Sequence, residues 1–176
     1  MTLAGQYADA GRNWVCQRIA KLLGANILET VHNHHNYAWK ERHNGVNLWI
    51  VRKGATPAYP QQRSFIGGSM GDISVVVEGL DSQESKKALY STVHGAGRIM
   101  SRTEAAGKYR KGKRSGGKIT RQMMLDWIRQ EGTELRGANS DESPHCYRRL
   151  TQVLEHHAPT IRILHTLQPI GVAMAG

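Results

Sequence analysis

Three short apolar runs in this chain each break on glycine, and that repeated pattern narrows the possible folds more than any other feature of the sequence. Val46-Asn47-Leu48-Trp49-Ile50-Val51 leads into Arg52-Lys53-Gly54-Ala55, Phe65-Ile66 into Gly67-Gly68-Ser69-Met70-Gly71, and Thr92-Val93 into His94-Gly95-Ala96-Gly97-Arg98. Short segments rich in apolar and β-branched residues that end on residues lacking side chains read as strands delivering loops. Glycine lets a backbone approach a ligand closely, and successive N–H groups then form a concave nest for oxygens. A chain of 176 residues buries one proper core. The expected fold is therefore α+β, a single mixed domain over residues 1–176 whose strands bring Gly-rich loops and a histidine to one site.

Between these loops the remaining elements follow from periodicity. Tyr7, Val15, Ile19, Leu22 and Leu23 recur at near-helical spacing, which predicts a packed helix over 4–23 stopped by Gly24. The run 46–51 is apolar on nearly both faces and reads as a strand covered on both sides. Residues 81–85 read as a polar turn. Thr120 is placed to cap a helix through Met123, Met124, Trp127 and Ile128 that ends at Gly132. A further helix is expected from Ser143 as N-cap and Pro144 at its first position, burying Tyr147, Leu150, Val153 and Leu154. Residues 161–167 and 170–174 read as strands.

The net charge of +10 points to a polyanionic partner, RNA or DNA before membrane. Much of it lies between Arg98 and Arg121, where Arg98, Arg102, Lys108, Arg110, Lys111, Lys113, Arg114, Lys118 and Arg121 face the single acid Glu104. Its glycine-rich middle, about 104–120, reads as a mobile basic loop, either an RNA-backbone contact or a solvated face. Cys16 and Cys146 form neither a disulfide framework nor a Cys-x-x-Cys site, so a cytoplasmic location is expected. No apolar run approaches the ~20 residues of a membrane span.

The chemistry-bearing residues cluster in the loops. His94, followed by small residues and Arg98, combines a nucleophile, a phosphate cradle and a fixed charge, which is what phosphoryl or nucleotidyl transfer needs. By itself the segment is equally a strand-to-helix turn. Ser69 and Ser74 add hydroxyls to the glycine nest of Gly67, Gly68 and Gly71, though a tight turn into a buried strand accounts for them as well. In the segment Val31-His32-Asn33-His34-His35-Asn36-Tyr37, extended backbone points His32 and His34 one way and His35 the other, so one side only faces a given metal. A hydrogen-bonded histidine cluster is the alternative. Arg52 and Lys53 at a strand end suit either a phosphate contact or a solvated rim.

In order and spacing, Asn33-His34-His35-Asn36-Tyr37, Arg52-Lys53-Gly54-Ala55, Gly67-Gly68-Ser69-Met70-Gly71 with Ser74, His94 to Arg98 and Met100-Ser101-Arg102 resemble the C-terminal half of the RtcB family of RNA ligases. The resemblance runs from Tyr7-Ala8 to the chain end, with Gly11 where the family's Tyr-Ala-x-x-Asn-Arg helix has asparagine and Gly67 where proline is usual. It implies a GTP-dependent ligase joining an RNA 3′-phosphate or 2′,3′-cyclic phosphate to a 5′-hydroxyl, as in tRNA splicing or RNA repair, through GMP bound to His94. It further implies guanylate contacts from His35, Asn36, Gly67, Gly68, Ser69, Met70, Ser74, His94, Gly95, Ala96 and Gly97, and His35 as a ligand to one of two Mn²⁺ ions.

The resemblance is partial. The family's other metal ligands, an aspartate, a cysteine and further histidines, come from an N-terminal half with no counterpart in this sequence. Where the family ends in Lys-Gly, with the lysine on the guanylate, Met174 stands here and offers no charge. Two expectations follow: the guanylate-accepting part of such a ligase, a fragment or a chain needing a complementing partner, or an RNA- or nucleotide-binding remnant without the chemistry.

Overall fold

In a computed structural model the chain is described over residues 2–110 and 112–174, apart from the side chains of residues 109, 110, 113 and 114. It has the α+β architecture expected, with the strands in small sheets. Helix α1 is Thr2–Leu23, followed by the hairpin β1 (Asn36–His43) and β2 (Val46–Lys53), then β3 (Ala55–Pro57), β4 (Arg63–Ile66) and β5 (Ser74–Gly79). After α2 (Gln83–Lys87) come β6 (Ser91–Val93), α3 (Arg102–Ala106), β7 (Lys108–Arg110), β8 (Lys113–Ser115), α4 (Arg121–Gln130), β9 (Glu134–Arg136), α5 (Leu150–Glu155), β10 (Ile161–Leu167) and β11 (Gly171–Ala173).

The main core lies against the three-stranded sheet β10-β5-β4, antiparallel throughout. Ile66, Val75, Val77 and Ile161 alternate onto one face of it and meet Leu150 and Leu154 of α5. A second cluster joins Met70, Met124, Ile128 and Ala138. A third packs Ala105, Ile119 and Cys146. Strand β3 pairs with β6, Ala55 opposite Val93, and β11 runs parallel to β9.

Several expectations need correcting. Helix α1 forms, but it does not bury its apolar face: Tyr7 is 82% and Trp14 66% exposed, and Gly5, pressed against the Tyr37 ring, is its buried residue. Strand β2 is not covered on both sides either, since Ile50 and Arg52 point inward while Trp49 and Val51 are exposed. Residues 83–87 are a helix, because Ser82 accepts a hydrogen bond from the Ser85 amide as an N-cap. The helix expected from Pro144 is interrupted. Pro144 opens a 3₁₀ turn to Cys146, the Ser143 hydroxyl pairs with His145 Nδ1 at 3.0 Å in place of capping, and α5 restarts at Leu150. There the cap is supplied from far along the chain, with the Asp72 carboxylate accepting from the Leu150 N–H at 2.9 Å.

The basic stretch is structured where it is described. Ser101 caps α3, the backbones of β7 and β8 pair, and Gly107 sits where a Cβ would fall 2.3 Å from the Ser115 carbonyl oxygen. Lys111 and the side chains of Arg110, Lys113 and Arg114 lie outside the described residues.

Candidate functional site

The two glycine loops are stitched to each other by backbone. The Gly67 amide donates to the His94 carbonyl at 3.2 Å, and the Ala96 amide returns a bond to the Gly67 carbonyl at 3.2 Å. Such a close crossing tolerates no side chains: a Cβ on Gly95 would lie 3.0 Å from the Gly67 oxygen, and one on Gly68 2.0 Å from the Ile73 oxygen. The Ser74 hydroxyl holds the loop by accepting from the Gly68 amide at 3.1 Å. Asp72, buried, accepts from the Ile73 amide at 2.9 Å as well as capping α5. The loops are thus fixed by the main core, not by their own flexibility.

The crossing walls a cleft of about 400 Å³ lined by Gly67, Gly68, His94, Gly95, Ala96, Gly97, Arg98 and Tyr147. His94 stands at its mouth, handed over by β6. Its ring stacks on that of His35, centroids 4.8 Å apart and planes 11° from parallel. Partial burial of the ring, and secondarily the second imidazole, hold its pKa below the ordinary histidine value. The neutral, nucleophilic form therefore prevails near pH 7. His35 is itself tied in, its carbonyl accepting from the Gly54 amide at 2.9 Å.

The alternation read for the histidine segment holds. His32 Nε2 lies 2.9 Å from Asp9 and His34 Nδ1 3.3 Å from Arg12, both toward α1, while His35 faces His94. Asn36 opens β1 beside it. Other expected residues are placed differently. Met70 has its side chain in the second core cluster, and Ser69 serves the loop turn through its carbonyl, which accepts from the Asp72 amide at 3.0 Å. Neither lines the cleft.

Arg52 is not a phosphate contact. It is 1% exposed, donates to both Glu41 oxygens at 2.6 and 3.0 Å, to the Ser91 hydroxyl at 2.9 Å and to the Leu89 carbonyl at 2.9 Å, and lies over the Trp39 ring. Burial acts to raise the Glu41 pKa, but the hydrogen bonds from Arg52 and His43 outweigh it and the net shift is downward. Arg98, though at the cleft, is likewise committed: it donates to the Met100 and Asp141 carbonyls at 3.1 and 2.6 Å and to the Tyr147 hydroxyl at 2.7 Å. Arg102 pairs with Asp141 and Glu142, and Lys118 with Glu104.

Tyr147, expected only on a buried helix face, also lines the cleft. Burial first, and then its hydrogen bond to Glu142, push its pKa up to about 12, so it meets the cleft as a neutral phenol. Its only sequence signal was an aromatic beside a proline turn, which does not point to a site 50 residues away.

For a metal, the donor set falls short. Among the described residues no group of three His, Cys, Asp or Glu side chains is placed to hold an ion, and Cys146 is buried in the third core cluster. His35 supplies one donor where Mn²⁺ requires several.

The chain is 33% identical over 159 residues to the RNA-splicing ligase RtcB1 of Escherichia coli ATCC 25922, a match covering 89% of this chain and 35% of the relative. It is 34% identical over 146 residues to the RNA-splicing ligase RtcB of E. coli K12, covering 81% and 32%. With the tRNA-splicing ligase RtcB of Pyrococcus abyssi it shares 29% identity over 203 aligned positions, covering 98% and 21%. The chain thus spans about a third of the length of the E. coli relatives it matches. The family model described as tRNA-splicing ligase RtcB matches residues 1–175, and with the paired glycine loops and the His35–His94 stack in place this chain belongs to the RtcB family.

Proposed function

We propose that this chain is the guanylate-accepting portion of an RNA ligase that joins an RNA 3′-phosphate or 2′,3′-cyclic phosphate to a 5′-hydroxyl, as in tRNA splicing or RNA repair. The observation that carries the reading is the placement of His94, a neutral imidazole at the mouth of a glycine-walled cleft. Its free nitrogen attacks the α-phosphorus of GTP; the N–P bond forms as the bond to pyrophosphate breaks. A 2′,3′-cyclic phosphate is first opened by water at its P–O2′ bond; the GMP then passes to the RNA 3′-phosphate and leaves when the 5′-hydroxyl attacks. The Gly95 and Gly97 amides, which the crossing does not use, offer donors to phosphate oxygens, with Tyr147 and Gly97 closing the cleft.

The family's Mn²⁺ would have to be held largely by donors outside this chain, with His35 contributing one. A complementing polypeptide is therefore part of the proposal, and the exposed apolar side of α1 supports it. The second reading, a nucleotide- or RNA-binding remnant, draws on the same shortage of donors.

One experiment separates them. With radiolabelled GTP, Mn²⁺ and the portion of the E. coli relative that this chain lacks, the chain should take up GMP in an acid-labile, base-stable bond, and His94→Ala should abolish it. Label retained on His94→Ala would place the nucleophile elsewhere. No label on the wild type under those conditions would leave the remnant reading standing.

A further inference from the structure

The β1–β2 hairpin has two faces of opposite character. Its residues pair in register, Ala38 opposite Val51, Lys40 opposite Trp49 and Arg42 opposite Asn47, and side chains alternate along each strand. One face carries Trp39, Glu41, Ile50 and Arg52 inward. The other carries Lys40, Arg42, Trp49, Val51 and, at its inner end, Asn36 opposite Lys53.

On that outer face Trp49 is 69% and Val51 72% exposed. Lys40 stands opposite the indole and Arg42 diagonal to it, and no acidic residue belongs to the face in register. Among the described residues neither Lys40 nor Arg42 lies within ion-pair distance of an acid. The hairpin's acid, Glu41, is turned away and consumed by Arg52 and His43. An exposed tryptophan with a lysine opposite it and an arginine diagonal to it suits a partner with flat aromatic surfaces and a regular negative charge. The charge favours RNA over a protein contact, since two cations with no acid on the face match a regular run of phosphates.

We propose that the outer face of the β1–β2 hairpin is a stacking platform for single-stranded RNA: Trp49 takes a base, while Lys40 and Arg42 take backbone phosphates. The proposal rests on reading the chain as part of an RNA ligase, and states where the strand runs. From Trp49 to Lys53 the face extends about 14 Å at ~3.4 Å per residue. It ends beside Asn36 and Gly54, and an added Cβ on Gly54 would lie 3.7 Å from the His94 ring. A strand lying along the platform therefore runs toward His35 and Gly54, the residues that adjoin the His94 ring. Stacking accepts any base, so the platform grips RNA without choosing sequence.

The test uses the whole chain and a fluorescently labelled single-stranded oligoadenylate, with affinity read by anisotropy over a salt series. Trp49→Ala should weaken binding by about fivefold or more, and Trp49→Phe should retain most of the affinity. Lys40→Ser with Arg42→Ser should reduce the slope of log K against log salt by about 1.4, at ~0.7 per phosphate on single strands. Trp14→Ala, at the exposed tryptophan of α1, should bind as wild type. All of these side chains are exposed, so the variants are expected to keep the fold, which circular dichroism checks. Binding by the wild type with Trp49→Ala unaffected would overturn the platform and leave the ligase reading intact. A wild type that binds no RNA at any salt would overturn the platform, while the ligase reading stands or falls on GMP uptake by His94. Loss of self-association in Trp49→Ala, with RNA affinity unchanged, would make the face a protein contact and overturn the proposal.

Discussion

The glycine-loop region and the N-terminal region of this chain are stabilised in opposite ways. Around β4, β5, β6 and α5 the apolar residues are inside, and the loops are bonded to buried groups: Asp72 to the start of α5, Ser74 to Gly68, Gly67 to His94. In α1 and β1–β2 most large apolar residues are outside, and beside Ala38 and Ile50 what is buried in the hairpin is polar. Arg52 and Glu41 form a nearly water-free pair with Ser91, Leu89, His43 and Trp39 around it. The difference teaches that the cleft is built by this chain's own core, whereas the N-terminal region is anchored to it through one saturated polar cluster and keeps its apolar surface for contacts beyond itself. Leu89 and Tyr90, both at positive φ, are the point where that cluster grips the approach to His94.

The largest expected effect would break this anchor. Arg52→Ala leaves the Glu41 carboxylate buried without its cation and should cost about 3–5 kcal/mol in urea unfolding. A loss below about 1 kcal/mol would mean that the pair only decorates the surface. The same pair sets an acid response. Because the Glu41 pKa is lowered in the fold, its contribution is present above the ordinary carboxylate value of 4.5 and is lost as pH falls through the folded value. Glu41→Gln should therefore be destabilised at pH 7 yet show a shallower stability decline between pH ~5 and ~3, at up to ~1.4 kcal/mol per unit of pKa difference.

These partners become legible in the sequence only once the hairpin that joins them is recognised. Beside Lys53 and Gly54, its neighbours along the chain, Arg52 reads as a phosphate contact or a solvated rim, whereas its partner Glu41 lies across a hairpin. The signal for that hairpin was present: Asn44-Gly45, both at positive φ, is the dipeptide of a tight two-residue turn. With the turn recognised, Glu41 and Arg52 fall on one face and the apolar run 46–51 becomes a one-sided strand. The glycine crossing was readable, because its residues are contiguous and permit little else. The alternation of His32, His34 and His35 was readable too, since it needs only the period of two. Tyr147, the Asp72 cap and the commitment of Arg98 were not, for they depend on contacts 43 to 78 residues apart.

A middle-sized effect sharpens the other side of the comparison. Gly68→Ala puts a methyl group against the Ile73 carbonyl, and the backbone, pinned by Ser74 and Asp72, must shift. The expected loss is about 1–3 kcal/mol, read by thermal unfolding, with GMP uptake on His94 falling alongside. Gly11→Ala in α1, where a Cβ meets nothing within 4 Å, should instead be neutral or stabilising by up to about 1 kcal/mol. Equal losses at both positions would contradict the idea that the loop region alone is tightly determined.

The smallest expected effect on stability is in α1, where it separates folding from association. Trp14 and Leu22 are 66% and 70% exposed, so little apolar area is lost from the core when they are made polar. Trp14→Ser with Leu22→Ser should change unfolding free energy by no more than the ~0.5 kcal/mol per site typical of surface changes, beyond the modest cost of serine in a helix. The same pair removes two of the largest apolar groups from an exposed helix face, and exposed apolar surface of that extent marks a contact site. Sedimentation should therefore show less self-association than the wild type, and capture of the complementing portion of the E. coli relative should weaken. A loss of several kcal/mol would show that α1 is packed after all, and the N-terminal region would then be as self-sufficient as the glycine loops. Unchanged stability together with unchanged association would mean that this face serves neither folding nor assembly.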